Sequence, residues 1–447
     1  MKYAIVIPTG GADRPCEALD GLTPLGAATK PSMDRISATG RQGTARTVPR
    51  DELTGSGTGL CSLLGVGEAP SDGQLRASAA GIALKPDDLA LRLDLVCVSD
   101  PEDEDRGRSV LLAHRAAGLT TSEARVLLND LVAHWKQALP EEGTLLERLS
   151  VHVGSRGAHL LVDHGGRIAT ALDASPLRTD EPEALLGRAW QDAPPRGAAG
   201  DLVAQLMEAS HGCFADHEIN RARVESGMLP VSMAWISGVP LVGPANLKRF
   251  EDAHGVKAAM VSRSPHALGL AGLLGIDRIS LPEAETLGER IASLGEYARS
   301  ALDRYDLVIV ETEATAEAGL DGDVHAKIEA MELIDRELLT PLLARLEEEG
   351  DNEQNPDEPG YRCMVACDRV ISSEERLPLD DPVPFAMCGS WVRSVVQGPF
   401  TEAEAHEADL HIERASDLME YFLFSGLKRP RSTRRPRRAS SSTPSES

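Results

Sequence analysis

Aromatic side chains are scarce in this chain, at 3% of 447 residues, so Leu, Val, Ile, Ala and Met must fill its interior. Apolar residues still reach 42%, enough for a sizeable core. Long hydrophobic runs are missing: nothing approaches the ~18 consecutive apolar residues of a membrane helix. The opening MKYAIVIP has one Lys before a five-residue apolar run, too short for a secretory leader. Cysteine is sparse too. The seven (Cys16, Cys61, Cys97, Cys213, Cys363, Cys367, Cys388) are scattered and odd in number, which argues against disulfides and for a reducing cytoplasm. Cys363 and Cys367 fall on one face of an expected strand, but no second pair completes a zinc site. Basic residues are outnumbered, 46 Lys+Arg against 70 Asp+Glu for a net charge of −24, which excludes nucleic acid as the main partner of the body.

Charge is unevenly placed. The end of the chain, from Lys428 to Ser447, holds seven Lys/Arg and one Glu among Pro and Ser. It has too little apolar surface to fold and is expected to be disordered. It either contacts nucleic acid, an acidic membrane or the acidic body, or serves as a solvated tail that aids solubility.

Upstream, nearly all-apolar runs at Tyr3–Ile7, Asp306–Glu311 and Cys363–Cys367 have the pattern of central parallel strands. Helical spacing appears at Pro31–Thr39 and, most clearly, from Lys327 to Glu349, where Ile328, Met331, Ile334, Leu338, Leu342 and Leu346 recur every three or four residues. Strands alternating with helices imply a parallel sheet covered on both faces. Between about 86 and 244 the chain has strands (LALRLDLVCV, HLLVDHGGRIATAL), a helix (SEARVLLNDLVAHWKQAL) and Pro/Gly-rich breaks of its own. That stretch is expected to be an inserted α/β cap.

Several segments carry a resemblance: MKYAIVIPTGGADRP, TGSGTGLCSLLG, EAGLDGDVHAKIEAMELID, DDPVPFAMCGSW, FTEAEA and DLMEYF. Their order and content resemble the archaeal-type, cofactor-independent phosphoglycerate mutases of the alkaline phosphatase superfamily. The resemblance implies an α/β, alkaline-phosphatase-like parallel sheet domain (1–85 and 245–425), an inserted α/β cap (86–244) and the basic tail (426–447). It also implies interconversion of 3- and 2-phosphoglycerate through a phosphoserine, a glycolytic step, with two divalent metals (Mn or Zn).

By the same resemblance Ser56 takes the nucleophile's place, at a helix start whose N–H groups suit a phosphate; a helix N-cap is the alternative reading of Ser56. Asp368 is the retained metal ligand. Thr9, Ala316, Leu320, Arg369 and Pro378 stand where the family has its other ligands. Leu and Ala offer no donor, and Arg369 puts a fixed positive charge where a metal would sit. On the substrate side Arg92 matches a family Arg, while Arg156 and Arg369 offer further forks for phosphate. Leu268 replaces an expected Lys, and Asp72 falls in a segment that carries Arg in the family.

Asp321, Asp323 and His325 form an acidic cluster that reads either as a metal site or, through Asp321 or Asp323, as a cap for the helix starting near His325. His211, His217 and His266 lack ligand spacing and read as core or surface residues. Two functions follow. One is a rebuilt phosphotransferase, such as a homoserine-kinase-like member, with Ser56 as nucleophile and Asp368, Asp321 and Arg369 assisting. The other is a family member with weakened or lost catalysis and no metal, or a weakly held one, which binds a small phosphorylated metabolite or a protein partner. The chemistry of the replaced positions favours the second.

Overall fold

The computed structural model describes residues 1–49, 57–99, 108–171, 175–350, 360–393 and 397–424. Ser56 and the basic tail lie outside them. Eight strands form the larger sheet, in the order His411–Ile412, Arg41–Ala45, Val383–Gly389, Tyr361–Ala366, Lys2–Pro8, Leu307–Thr312, Ala258–Val261, Asp277–Arg278. From Tyr361–Ala366 to Asp277–Arg278 every neighbour is parallel, as the alternation of strands and helices implies.

Strand alternation explains why these runs are apolar throughout. Ala4, Val6, Val308 and Val310 pack on one face with Ile291, Leu294, Leu338 and Leu342. Ile5, Ile7, Ile309 and Met364 pack on the other with Leu60, Leu270 and Phe422. A strand buried on both faces has no polar side to show. The sheet departs from the expected parallel pattern at Val383–Gly389, which runs antiparallel to both Tyr361–Ala366 and Arg41–Ala45. Only the short hairpin of Val370–Ser372 with Leu377–Leu379 separates it from the preceding strand. A parallel return would need a long crossover, so the chain turns back instead.

A second, antiparallel sheet is built from Asp88–Val98, Leu111–Ala113, Leu149–His152, His159–His164 and Met233–Ser237. The helices Thr121–Ala138 and Gly200–Phe214 pack against it through Leu127, Leu131, Trp135, Leu206 and Phe214. The strand read across HLLVDHGGRIATAL ends at His164, and Arg167–Ala171 is a helix. Gly165, at φ +65°, makes the turn, and the Asp163 carboxylate accepts from Gly166 N (2.8 Å) and Ala169 N (2.9 Å), holding the new helix's first turn.

The helix Asp72–Ala79 wedges between the two sheets. Gly73 lies so close to Ala90 that a Cβ would sit 1.9 Å from its carbonyl oxygen, and Gly269, on the helix Pro265–Leu274, approaches Leu75 equally tightly. Arg76 from the wedge donates to Asp94 (3.1 Å) and to His159 O (2.8 Å) of the second sheet. No helix among the described residues is long and apolar enough to cross a membrane.

Candidate active site

Because Lys2–Pro8, Leu307–Thr312 and Tyr361–Ala366 are adjacent and parallel, their carboxyl ends gather at one edge of the sheet. That edge is where ligands of open α/β sheets bind. Thr9 and Asp368 follow two of those strands, and Glu311 and Glu313 stand at the end of the third, one inside it and one just beyond. Gly10, at φ +66°, turns the chain so that its N–H donates to Asp368 Oδ1 at 2.8 Å. A Cβ there would strike Ile371 at 2.5 Å and crowd Ala316. Gly59, near the start of the helix Thr58–Leu63, lies against the Asp368 carbonyl, where a Cβ would sit at 2.1 Å. These two glycines let three segments close around Asp368.

Above this edge lies a cavity of about 590 Å³ between the two sheets. Thr9, Ala316, Leu320, Asp368, Arg369 and Pro378, which the sequence places at the family's metal-binding positions, all line it. So does Arg92, from the second sheet. Gly57 and Leu60 also line it; Ser56, the residue before Gly57, lies outside the described residues. Arg156 does not line this cavity. It borders a smaller recess of about 20 Å³ that shares Ser264, Glu311 and Glu313 with the cavity. Asp321, assigned a helping role at the sequence level, is exposed and lies 3.8 Å from Arg115, outside the residues that line the cavity. The cap of the following helix is Asp323, whose carboxylate accepts from Ala326 N at 2.9 Å.

The arginines are less available than their positions suggest. Arg92 is buried and engaged by Asp94, Glu181 and, at 2.6 Å, Glu183. Arg156, held at φ +51°, reaches from the insertion to Glu317 at 2.8 Å. Arg369 Nε lies 3.9 Å from Asp368 Oδ2. Burial pushes the Asp368 carboxyl up, against the pull of Arg369 and the bond from Gly10.

Sequence reasoning missed Glu311, Glu313 and His266. Glu311 is 1% exposed and accepts from Thr9 Oγ1 (2.6 Å) and from Ser262 Oγ. Burial, reinforced by the neighbouring charges of Glu313 and Asp368, pushes its carboxyl up to about 8. Glu313 accepts from Ser264 Oγ at 2.8 Å. His266, expected as a core or surface residue, stands in the cavity wall 3.9 Å from both Asp72 and Glu313. Two signals were available: two glutamates at the end of an all-apolar run, and the Ser-x-Ser that ends the neighbouring strand.

The described residues do not fit a two-metal group. Ala316, Leu320 and Pro378 present no side-chain donor, and Arg369 is itself a cation. Both oxygens of Glu311 are taken by hydroxyl donors. Among the described residues no group of three or more His, Cys, Asp or Glu is placed to hold a metal ion. The geometry offers a cavity with strand-end carboxylates, organised by hydroxyls and arginines.

Fold and site together define an α/β protein with a cavity between the carboxyl ends of its parallel strands and a second, antiparallel sheet. Comparison with known proteins narrows this class. The family model for 2,3-bisphosphoglycerate-independent phosphoglycerate mutase matches residues 37–220. A protein of that name from Methanothrix thermoacetophila is 31% identical over 432 residues, 95% of this chain and 100% of its own length. One from Methanopyrus kandleri is 31% identical over 415 residues, 90% of each chain. A solved structure from Pyrococcus horikoshii superimposes with a TM-score of 0.68 at 22% identity, covering 94% of this chain and 96% of its own, and so shares the fold. The chain belongs to the 2,3-bisphosphoglycerate-independent phosphoglycerate mutase family.

Proposed function

We propose that this family member has lost the metal-dependent mutase reaction and keeps the cavity between its sheets as a small-molecule binding site in a cytoplasmic protein. One observation carries the reading. Six scaffold positions that the family uses for metal converge on one cavity, and five of them are Thr9, Ala316, Leu320, Arg369 and Pro378. Misplaced alignment would scatter such positions rather than gather them. A two-metal phosphotransferase needs those ions to lower the serine's pKa and to neutralise phosphate oxygens. A guanidinium can imitate the second task but cannot generate a metal-bound alkoxide. Several such losses, each worth about 2.7–4 kcal/mol of barrier, remove most of the rate.

The test is calorimetric titration of metal-stripped protein with manganese and zinc, alongside a 3-phosphoglycerate to 2-phosphoglycerate assay. Neither metal should bind tighter than about 1 mM, and turnover should match that of Ser56→Ala. Two tight sites lost in Asp368→Ala, or turnover that Ser56→Ala abolishes, would overturn the reading.

A further inference from the structure

The cavity's own chemistry goes further and rests on that metal-free reading. Among the described residues, seven carboxylates line it against four arginines. In a two-metal site the ions would outweigh the acids; here the acids still outnumber the arginines, although burial keeps the proton on Glu311 below about pH 8. Three of the four arginines are engaged, while Arg178, exposed at the rim, makes no ion pair among the described residues. Arg92 is shared among Asp94, Glu181 and Glu183, Arg196 lies 3.6 Å from Asp180, and Arg369 lies beside Asp368. One lining carboxylate is half-matched: Glu183 Oε1 accepts from Arg92, while Glu183 Oε2 is buried and accepts no hydrogen bond. A buried acceptor left unmatched is costly until a donor meets it. Beside the polar Thr9, Thr179, Ser264 and His266, the wall has an apolar part made by Leu60, Leu177, Val239, Leu320, Ile371 and Leu379.

We infer that the cavity takes an organic cation, an amine or guanidine joined to an apolar body, and discriminates against phosphate esters. The cationic head sits toward Glu183 and Glu313, and the apolar body lies against Leu320 and Ile371. About 590 Å³ is within the ordinary range for a small ligand. The net charge of −24 adds a field that gathers cations and repels a phosphorylated acid.

Calorimetry on the full chain with phenethylamine and agmatine, against 3-phosphoglycerate and inorganic phosphate, tests this. An amine should bind at least about tenfold tighter than either anion, and more weakly as salt rises. Glu313→Gln, and separately Glu183→Gln, should weaken the amine about tenfold. Leu320→Arg, which adds a competing cation, should do the same, and thermal melts check that each variant folds. An anion binding as tightly as the amines, or no saturation by either amine up to about 10 mM, would overturn the inference. Manganese and zinc titrations in the same buffer separate the two readings. Tight metal binding defeats the metal-free reading itself, whereas absent metal binding with absent amine binding defeats only the choice of ligand.

Discussion

Glu311 follows four apolar residues in the strand Leu307–Thr312, and its carboxyl is more than a pocket ornament. Its folded pKa, pushed to about 8 from an ordinary 4.5 by burial, makes the folded chain the better proton binder. Stability from this group is therefore complete below pH ~4.5 and is lost as pH rises through about 8. Glu311→Gln fixes the neutral form. The variant should gain on the native chain as pH rises from 5 to 8, on the order of 2–4 kcal/mol in total, measured by urea unfolding at each pH. A constant difference across that window would mean that Glu311 is ionised throughout. Lys327 is the opposite case. It is fully buried and donates to Asp13 Oδ2 (2.8 Å), Ala12 O (3.2 Å) and Ile371 O (2.7 Å), tying the turn after the first strand to the hairpin that follows Asp368. Lys327→Met leaves a buried charge alone and should cost about 3–5 kcal/mol. Adding Asp13→Asn should recover much of that loss, since removing both charges removes the mismatch. The denaturation midpoints of the single and double variants decide it.

Element ends show why some segments were legible and others were not. The helix Pro31–Thr39 was read from its periodicity with both ends correct, yet nothing in its own sequence caps it. Lys30 occupies the cap position without a side-chain bond. The acceptor comes from Asp335, 303 residues away in sequence from Ser32, which receives Ser32 N at 3.1 Å and Met33 N at 2.7 Å. Long-range caps leave no local signal. Asp335→Ala should cost about 1–3 kcal/mol by stranding two buried N–H groups, whereas Asp335→Asn, which keeps an acceptor, should cost less; comparison of urea midpoints tests the difference. The long helix from residue 324 to 347 was equally legible, but not its wide turn at Ile334–Leu339. Pro341 lacks an N–H and cannot continue a regular ladder, and the widened turn absorbs that break, with Thr340 Oγ1 donating to Asp335 O at 2.8 Å. The site divides in the same way. Asp368, Arg369 and Thr9 were found because motifs mark them; Glu313 and His266 were not, because only the packing of distant strands brings them to the cavity.

At the scale of the whole molecule, the question is whether five altered positions on separate segments still describe one site. Thr9, Ala316, Leu320 and Arg369 follow three different strands and face one cavity, around an Asp368 already held by Gly10 N. Metal affinity needs several donors at once, so one restored ligand should do little. The combined variant T9D/A316D/L320H/R369H places three carboxylates, counting Asp368, and two imidazoles around that point. It should bind manganese or zinc tighter than about 0.1 mM by calorimetry, while each single substitution stays near the native chain. It should also lose stability in metal-free buffer, because Arg369 no longer offsets the buried Asp368 carboxylate, and regain it when metal is added. A melt that is native-like and unmoved by either metal would mean that the scaffold has drifted too far for its ligand positions to meet. Binding would mean that only the side chains at these positions have been replaced, and that the backbone still holds the geometry of a two-metal centre.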